Sequence, residues 1–209
     1  FAVIKGKIKT IADFWYYYKY YLLVGIVAVV ALGAVVKSCS EKKDYDVGVL
    51  FMTHGAAGSY YQTEGLSGFF DGYVSDVNGD GISNSQVVSI NYGSTLKEAN
   101  AANASRSANL AAGEHLVYLM DEQNYNELKA GGFLADISGA GESEYLDSDC
   151  FDAAASGMLS AIEGFGEGTQ TYFLCLRVYD AKRAESDEKY AARYDAAKSV
   201  VYKIVDEYK

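Results

Sequence analysis

Residues 20–36, YYLLVGIVAVVALGAVV, carry no charged side chain. At about 1.5 Å of helical rise per residue they nearly cross a hydrocarbon core of roughly 30 Å. Lipid offers no water to backbone N–H and C=O groups, so the run is expected to form one continuous transmembrane helix. A buried core helix and the apolar part of a secretion signal are the alternatives. Phe14, Trp15, Tyr16, Tyr17 and Tyr18 precede it as an aromatic collar suited to the headgroup level, and Lys19 is placed to snorkel outward.

Beyond a charged connector the apolar runs shorten. Residues 46–53, DVGVLFMT, are almost continuously apolar, the pattern of a strand buried on both faces. Ser59 and Gln62 have capping-box spacing and are followed by Leu66, Phe69, Phe70, Tyr73 and Val74 at helical intervals. Gly65, Gly68 and Gly72 interrupt that helix at about 1 kcal/mol each relative to Ala, so it must depend on packing. A second strand is predicted over residues 86–92. Thr95 and Glu98 form another capping box, opening an alanine-rich helix that Gly113 would end. Residues 115–120, HLVYLM, make a third strand, with Asp121 as N-cap of a short helix stopped by Gly131 and Gly132. Strands and helices alternate, which predicts a parallel sheet with crossover helices.

The pattern weakens between residues 138 and 168, where one helix is predicted over 153–162. A last strand follows over 172–179. The chain closes on an amphipathic helix with Tyr190, Tyr194, Ala197, Val201, Ile204 or Val205, and Tyr208 on one face. The expected fold class is α/β: a transmembrane helix, a small parallel-sheet domain and a C-terminal amphipathic helix. The expected division is a cytoplasmic segment (1–19), the span (20–36), a connector (37–45) and an extracytoplasmic domain (46–209).

Charge sets the orientation. The formal net charge is −10, yet the first 36 residues carry Lys5, Lys7, Lys9 and Lys19 against only Asp13. Basic residues beside a span stay on the cytoplasmic side, which places the N-terminus inside the cell and the acidic domain outside. So acidic a domain, with no basic stripe, is not expected to bind nucleic acid. Cys39, Cys150 and Cys175 form no CxxC pair and no metal-ligand spacing. Cys175 reads as core, and a Cys39–Cys150 bridge is one open pairing.

The most specific polar motif is Asp76-x-Asn78-x-Asp80-Gly81. Oxygen ligands at alternate positions of a tight loop can converge on calcium. The twelfth position is Val87 where a bidentate acid is wanted, so weak calcium binding competes with a loop closed by Asp and Asn side chains on its own N–H groups. HExxH, GxxxxGK[ST] and GxSxG are absent from the sequence, and no enzyme and no cofactor other than this possible calcium are expected. His115, opening a buried strand, reads as a structural histidine with its hydrogen bonds met. Arg177 reads as the partner of an acid at the edge of the core. Ligands of open parallel sheets gather beyond the carboxyl ends of the strands. That edge would collect Thr53, His54, Ser59, Ser94, Thr95 and Asp121 as a binding surface, with helix capping as the competing role of Ser59, Thr95 and Asp121.

Three stretches carry a family resemblance. FWYYYKYYLLVG resembles the start of small single-pass membrane proteins of Firmicute-type bacteria. Residues 110–138, LAAGEHLVYLMDEQNYNELKAGGFLADIS, resemble the strand, short helix and glycine-bounded turn of extracellular solute-binding proteins, and YFLCLR before a long final helix is similar to the closing segment of the same membrane-anchored group. The resemblance implies one lobe of a type 2 periplasmic-binding-protein-like fold. The expected function is a membrane-anchored, non-catalytic binding domain. Its expected partners are the lipid bilayer, through residues 20–36, and a small solute, peptide or envelope protein. An assembly subunit without a ligand is the second expectation, and a calcium-dependent surface module the third.

Overall fold

The computed structural model describes residues 45–54, 60–165 and 170–209, together with helical positions scattered between Trp15 and Val29. The chain divides into two units, Phe1–Asp44 and Tyr45–Lys209. In the first, the described part of the predicted span is helical, and residues 22, 28 and 30–36 lie outside the described residues. Among the described residues, no helix is long and apolar enough to cross a membrane.

The second unit runs β1 (Val47–Thr53), α1 (Tyr60–Asp71), β2 (Ser85–Asn91), α2 (Leu96–Ala112), β3 (His115–Asp121) and α3 (Glu122–Ala130). It continues through β4 (Phe151–Asp152), β5 (Tyr172–Leu176), α4 (Ala181–Ser186) and α5 (Tyr190–Tyr208). The five strands form one sheet in the order β2-β1-β3-β5-β4. β1 pairs in parallel with β2 and β3, as the alternation predicts. β5 runs antiparallel to both β3 and β4, so the sheet is mixed and not wholly parallel. The reason lies between α3 and β5. A parallel return needs a crossover, usually helical, and the helix expected over 153–162 is reduced to turns and a 3-10 segment, Met158–Ala161.

Alternate residues of each central strand feed two cores. Val49, Phe51, Val117, Leu119 and Leu174 pack with Leu66 and Phe70 of α1 and with Val201, Ile204 and Val205 of α5. Leu50, Met52, Tyr118, Met120 and Cys175 face the other way, onto Ala102 of α2 and Tyr125 and Leu128 of α3. β1 and β3 are therefore covered on both faces, which is why their sequences are apolar without alternation. Gly65 allows close packing of α1: a Cβ there would collide with the Glu163 carbonyl oxygen.

α2 starts and stops as its sequence directs. The Thr95 side chain accepts from the Glu98 N–H, and the Glu98 carboxylate accepts from the Thr95 N–H. Gly113 follows at φ 64°, donating its N–H to the Asn109 carbonyl. Among the described residues, Arg177 does not pair with an acid. Its guanidinium donates to the Leu110 carbonyl at 2.9 Å and to the Tyr118 hydroxyl at 3.2 Å, satisfying the C-terminal end of α2.

His115 is buried at the start of β3, but among the described residues its hydrogen bonds are not met. It is 5% exposed, and neither ring nitrogen has a hydrogen-bond partner among the described residues. Burial lowers its pKa below the ordinary value. The unfolded chain, with an imidazole near 6.5, therefore binds the proton more readily. Stability is expected to fall as pH drops below about 6.5. Melting temperature measured from pH 7.5 to 5 should show this decline, and His115→Phe should flatten it.

Candidate functional site

Three parallel strands deliver their last residues to one edge of the sheet. The connection from β1 leads to β2 on one side, whereas α2 carries the chain back across β1 to β3 on the other. The carboxyl ends of β1 and β3 therefore flank the point where the winding direction reverses, the position at which open α/β sheets hold ligands.

His54, directly after β1, and Asp121, the last residue of β3, meet there. The Asp121 Oδ2 accepts from the His54 backbone N–H and lies 2.9 Å from the His54 Nδ1. Its Oδ1 accepts from the Asn124 N–H at 3.0 Å and from the Asn124 side-chain amide at 2.9 Å, which makes Asp121 the N-cap of α3. A carboxylate can only accept, so this contact puts a proton on Nδ1, and among the described residues no hydrogen-bond partner meets Nε2. The His54 side chain is 31% exposed and Asp121 8%.

The imidazole lies flat on the Tyr92 ring, with centroids 4.0 Å apart and planes 13° from parallel. Tyr92 follows β2 and is 4% exposed. Arg106 of α2 stands 5.8 Å from the same ring centroid, ion-paired with Glu127 and donating to the Asn124 side-chain Oδ1 at 3.3 Å. That hydrogen-bonded guanidinium holds the Glu127 carboxyl below its usual range. Burial pushes the Tyr92 phenol up, with Arg106 opposing.

β5 contributes because it is antiparallel. Its first residue reaches the edge where β1 and β3 end, and the Tyr172 hydroxyl lies 2.8 Å from the Thr53 hydroxyl. Gln170 donates to the His54 carbonyl at 3.0 Å and accepts from the Tyr172 hydroxyl at 2.9 Å.

Of the residues expected at this edge, the structure therefore brings together Thr53, His54 and Asp121. Ser94 and Thr95 are exposed and occupied with Glu98: its carboxylate accepts from the Ser94 N–H at 3.1 Å and from the Thr95 hydroxyl at 2.8 Å. Ser59 lies outside the described residues. Tyr92, Arg106, Asn124, Gln170 and Tyr172 are members that the sequence pattern did not single out. Asn124 was within reach, since the residue three after an N-cap donates its N–H to it. Gln170 and Tyr172 depend on the direction of β5.

The 76–81 loop closes on itself. Asp76 accepts from the N–H groups of Gly79 and Gly81, Asn78 from Asp80, and Asp80 from Ile82, at 2.7–2.9 Å. Among the described residues, no third acid, histidine or cysteine joins Asp76 and Asp80 at metal-ligand spacing. The twelfth residue, Val87, pairs with Val49 inside the sheet. Two surface grooves, along α5 at Lys198 and Tyr202 and beside α1 at Gly68 and Glu163, are lined by acids that are all exposed. Comparison with family models, with curated proteins and with solved structures finds no match for this chain.

Proposed function

We propose that the chain is a membrane-anchored, non-catalytic binding protein whose α/β domain lies outside the cell and takes a small polar solute or a peptide segment at the His54 edge. The observation that carries this reading is the imidazole itself. It is held on one face by Tyr92 and oriented through Nδ1 by Asp121, and among the described residues nothing meets Nε2, which suits a ligand that donates a hydrogen bond. A hydroxyl, an ammonium or an amide N–H meets that need. The non-catalytic part of the proposal is supported by Thr53. Its hydroxyl is fully buried and bonded to Tyr172, so it is not presented to His54 as a nucleophile.

The membrane anchor is supported by the described helical positions of the first unit. Tyr20, Tyr21, Leu23, Val24, Ile26, Val27 and Val29 are each more than half exposed, and at about 100° per residue they cover all sides of a helix. Lipid is the solvent in which such surface costs nothing. Membrane pelleting after an alkaline wash, and trimming of the domain by protease added to intact cells, test the anchor and its orientation.

Binding is tested by thermal shift of the purified full chain against amino acids, monosaccharides, short peptides and calcium. A ligand at a hundred times its Kd should raise the melting temperature by about 5–10 °C, and His54→Ala should remove the rise. No response to any solute, or a rise confined to calcium and abolished by Asp80→Ala, would overturn the assignment to this edge.

A further inference from the structure

The ladder between β4 and β5 extends one step past the ends of β4. Phe151 faces Leu174 and Asp152 faces Phe173, so the same register sets Cys150 opposite Cys175. The hydrogen bonds identify the kind of pair. The Ala153 N–H donates to the Tyr172 carbonyl at 2.9 Å, which marks residues 153 and 172 as a hydrogen-bonded pair. Such pairs alternate along an antiparallel ladder with non-bonded ones. Residues 151 and 174 are then bonded, and Cys150 and Cys175 are not. The outward bonds agree: the Asp152 N–H donates to the Tyr145 carbonyl at 2.8 Å, and the Cys150 carbonyl accepts from the Asp147 N–H at 2.9 Å. On its other side Cys175 is paired with Tyr118 of β3.

Residues in a non-bonded pair have Cα atoms about 4.5 Å apart, inside the 4.4–6.8 Å that a disulfide usually spans. Both side chains lie on one face of the sheet, in the cluster with Tyr118, Tyr125 and Leu128, and both are free thiols in this structure.

We propose that Cys150 and Cys175 form a cross-strand disulfide that fastens the edge strand β4 onto β5. Two thiols give up two protons and two electrons. The oxidant is a disulfide, either a thiol oxidoreductase or oxidised glutathione. The Cys150 thiolate attacks one of its sulfurs and expels the first oxidant thiolate. The Cys175 thiolate then attacks the Cys150 sulfur of the mixed disulfide and expels the second, and the released thiolates take up the protons. Cys150 is 5% exposed and Cys175 not at all, and burial raises the pKa of both thiols. The exchange therefore belongs to the folding chain, or to moments when the two-residue β4 opens.

The bond would also secure the binding edge at a distance. Asp149, next to Cys150, accepts from the Tyr125 hydroxyl at 2.8 Å and from Lys129 at 3.1 Å. Both donors belong to α3, whose N-cap is Asp121. Asp147, Asp149 and Cys150 bring three ligand atoms within 4.8 Å of one another, but the Lys129 ammonium already stands against Asp149 as the cation.

The full chain, denatured, reduced and refolded in a mixture of reduced and oxidised glutathione, decides the matter after quenching, maleimide labelling under denaturing conditions and peptide mass mapping. The expected product carries one maleimide, at Cys39, and a linked peptide pair containing Cys150 and Cys175. Reductant should lower its melting temperature by about 5–10 °C, and Cys175→Ser should abolish that sensitivity. Three labelled cysteines, or a bridge from Cys39 to either of the others, would overturn the proposal. Should Cys175→Ser fail to fold, the peptide map of the unsubstituted chain decides alone.

Discussion

Asp121→Ala is expected to destabilise the domain by about 3–5 kcal/mol and to abolish binding at the His54 edge. The carboxylate is almost fully buried and accepts from four donors: the His54 backbone N–H and Nδ1 on one oxygen, the Asn124 N–H and side-chain amide on the other. Loss of the helix cap alone costs about 1 kcal/mol. The remainder comes from charge-assisted bonds whose donors are left in a site with little access to water, and these losses share partners, so they do not simply add. Thermal melting of the full chain should register a fall of about 8–15 °C. Asp121→Asn keeps the volume but presents an amide donor to donors, so it should lie between alanine and the unsubstituted chain in stability and still fail to orient His54. A loss below about 1 kcal/mol for the alanine variant would mean that the carboxylate does not hold β1, β3 and α3 together.

Asp46→Ala should cost about 2–4 kcal/mol, although it lies at the other end of β1 from His54. Asp46 directly precedes β1 and is 1% exposed. Its Oδ1 accepts from the N–H groups of Val77 and Asn78 at 2.7 and 3.0 Å, and its Oδ2 from that of Asn84 at 3.1 Å. One carboxylate thus ties the segment between α1 and β2 to the start of β1. Beyond lower stability, the variant should show faster hydrogen exchange at Val77, Asn78 and Asn84, with exchange in β3 rising only as far as global stability falls. Uniform acceleration across the domain, or none in the loop, would contradict this role.

The parts legible in the sequence are those governed by local rules. β1 and β3 could be read because burial on both faces makes their residues apolar throughout, and Thr95, Gly113 and Asp121 because capping chemistry acts within one helical turn. The direction of β5 was not legible. It depends on the path from α3 to β5, whose described residues form no α-helix and whose turns are fixed by distant contacts such as the Ala153 N–H to the Tyr172 carbonyl. The proposed binding edge was correspondingly half visible. His54 and Asp121 follow from the ends of parallel strands, whereas Gln170 and Tyr172 arrive only through the antiparallel strand. The three partners of Asp46 lie 31 to 38 positions along the chain, so its sequence suggests nothing beyond the start of a strand.

The chain has two histidines, and they divide the labour of a direct test. His54 sits at the proposed binding edge, and His115 is buried at the opposite end of the sheet. With imidazole carbons isotopically labelled, the two ring signals can be followed by NMR as pooled amino acids, monosaccharides and short peptides are added to the full chain. The account predicts that at least one pool moves the His54 signal in a saturable manner while that of His115 stays in place. Stationary signals against every pool, or both signals shifting together, would contradict it.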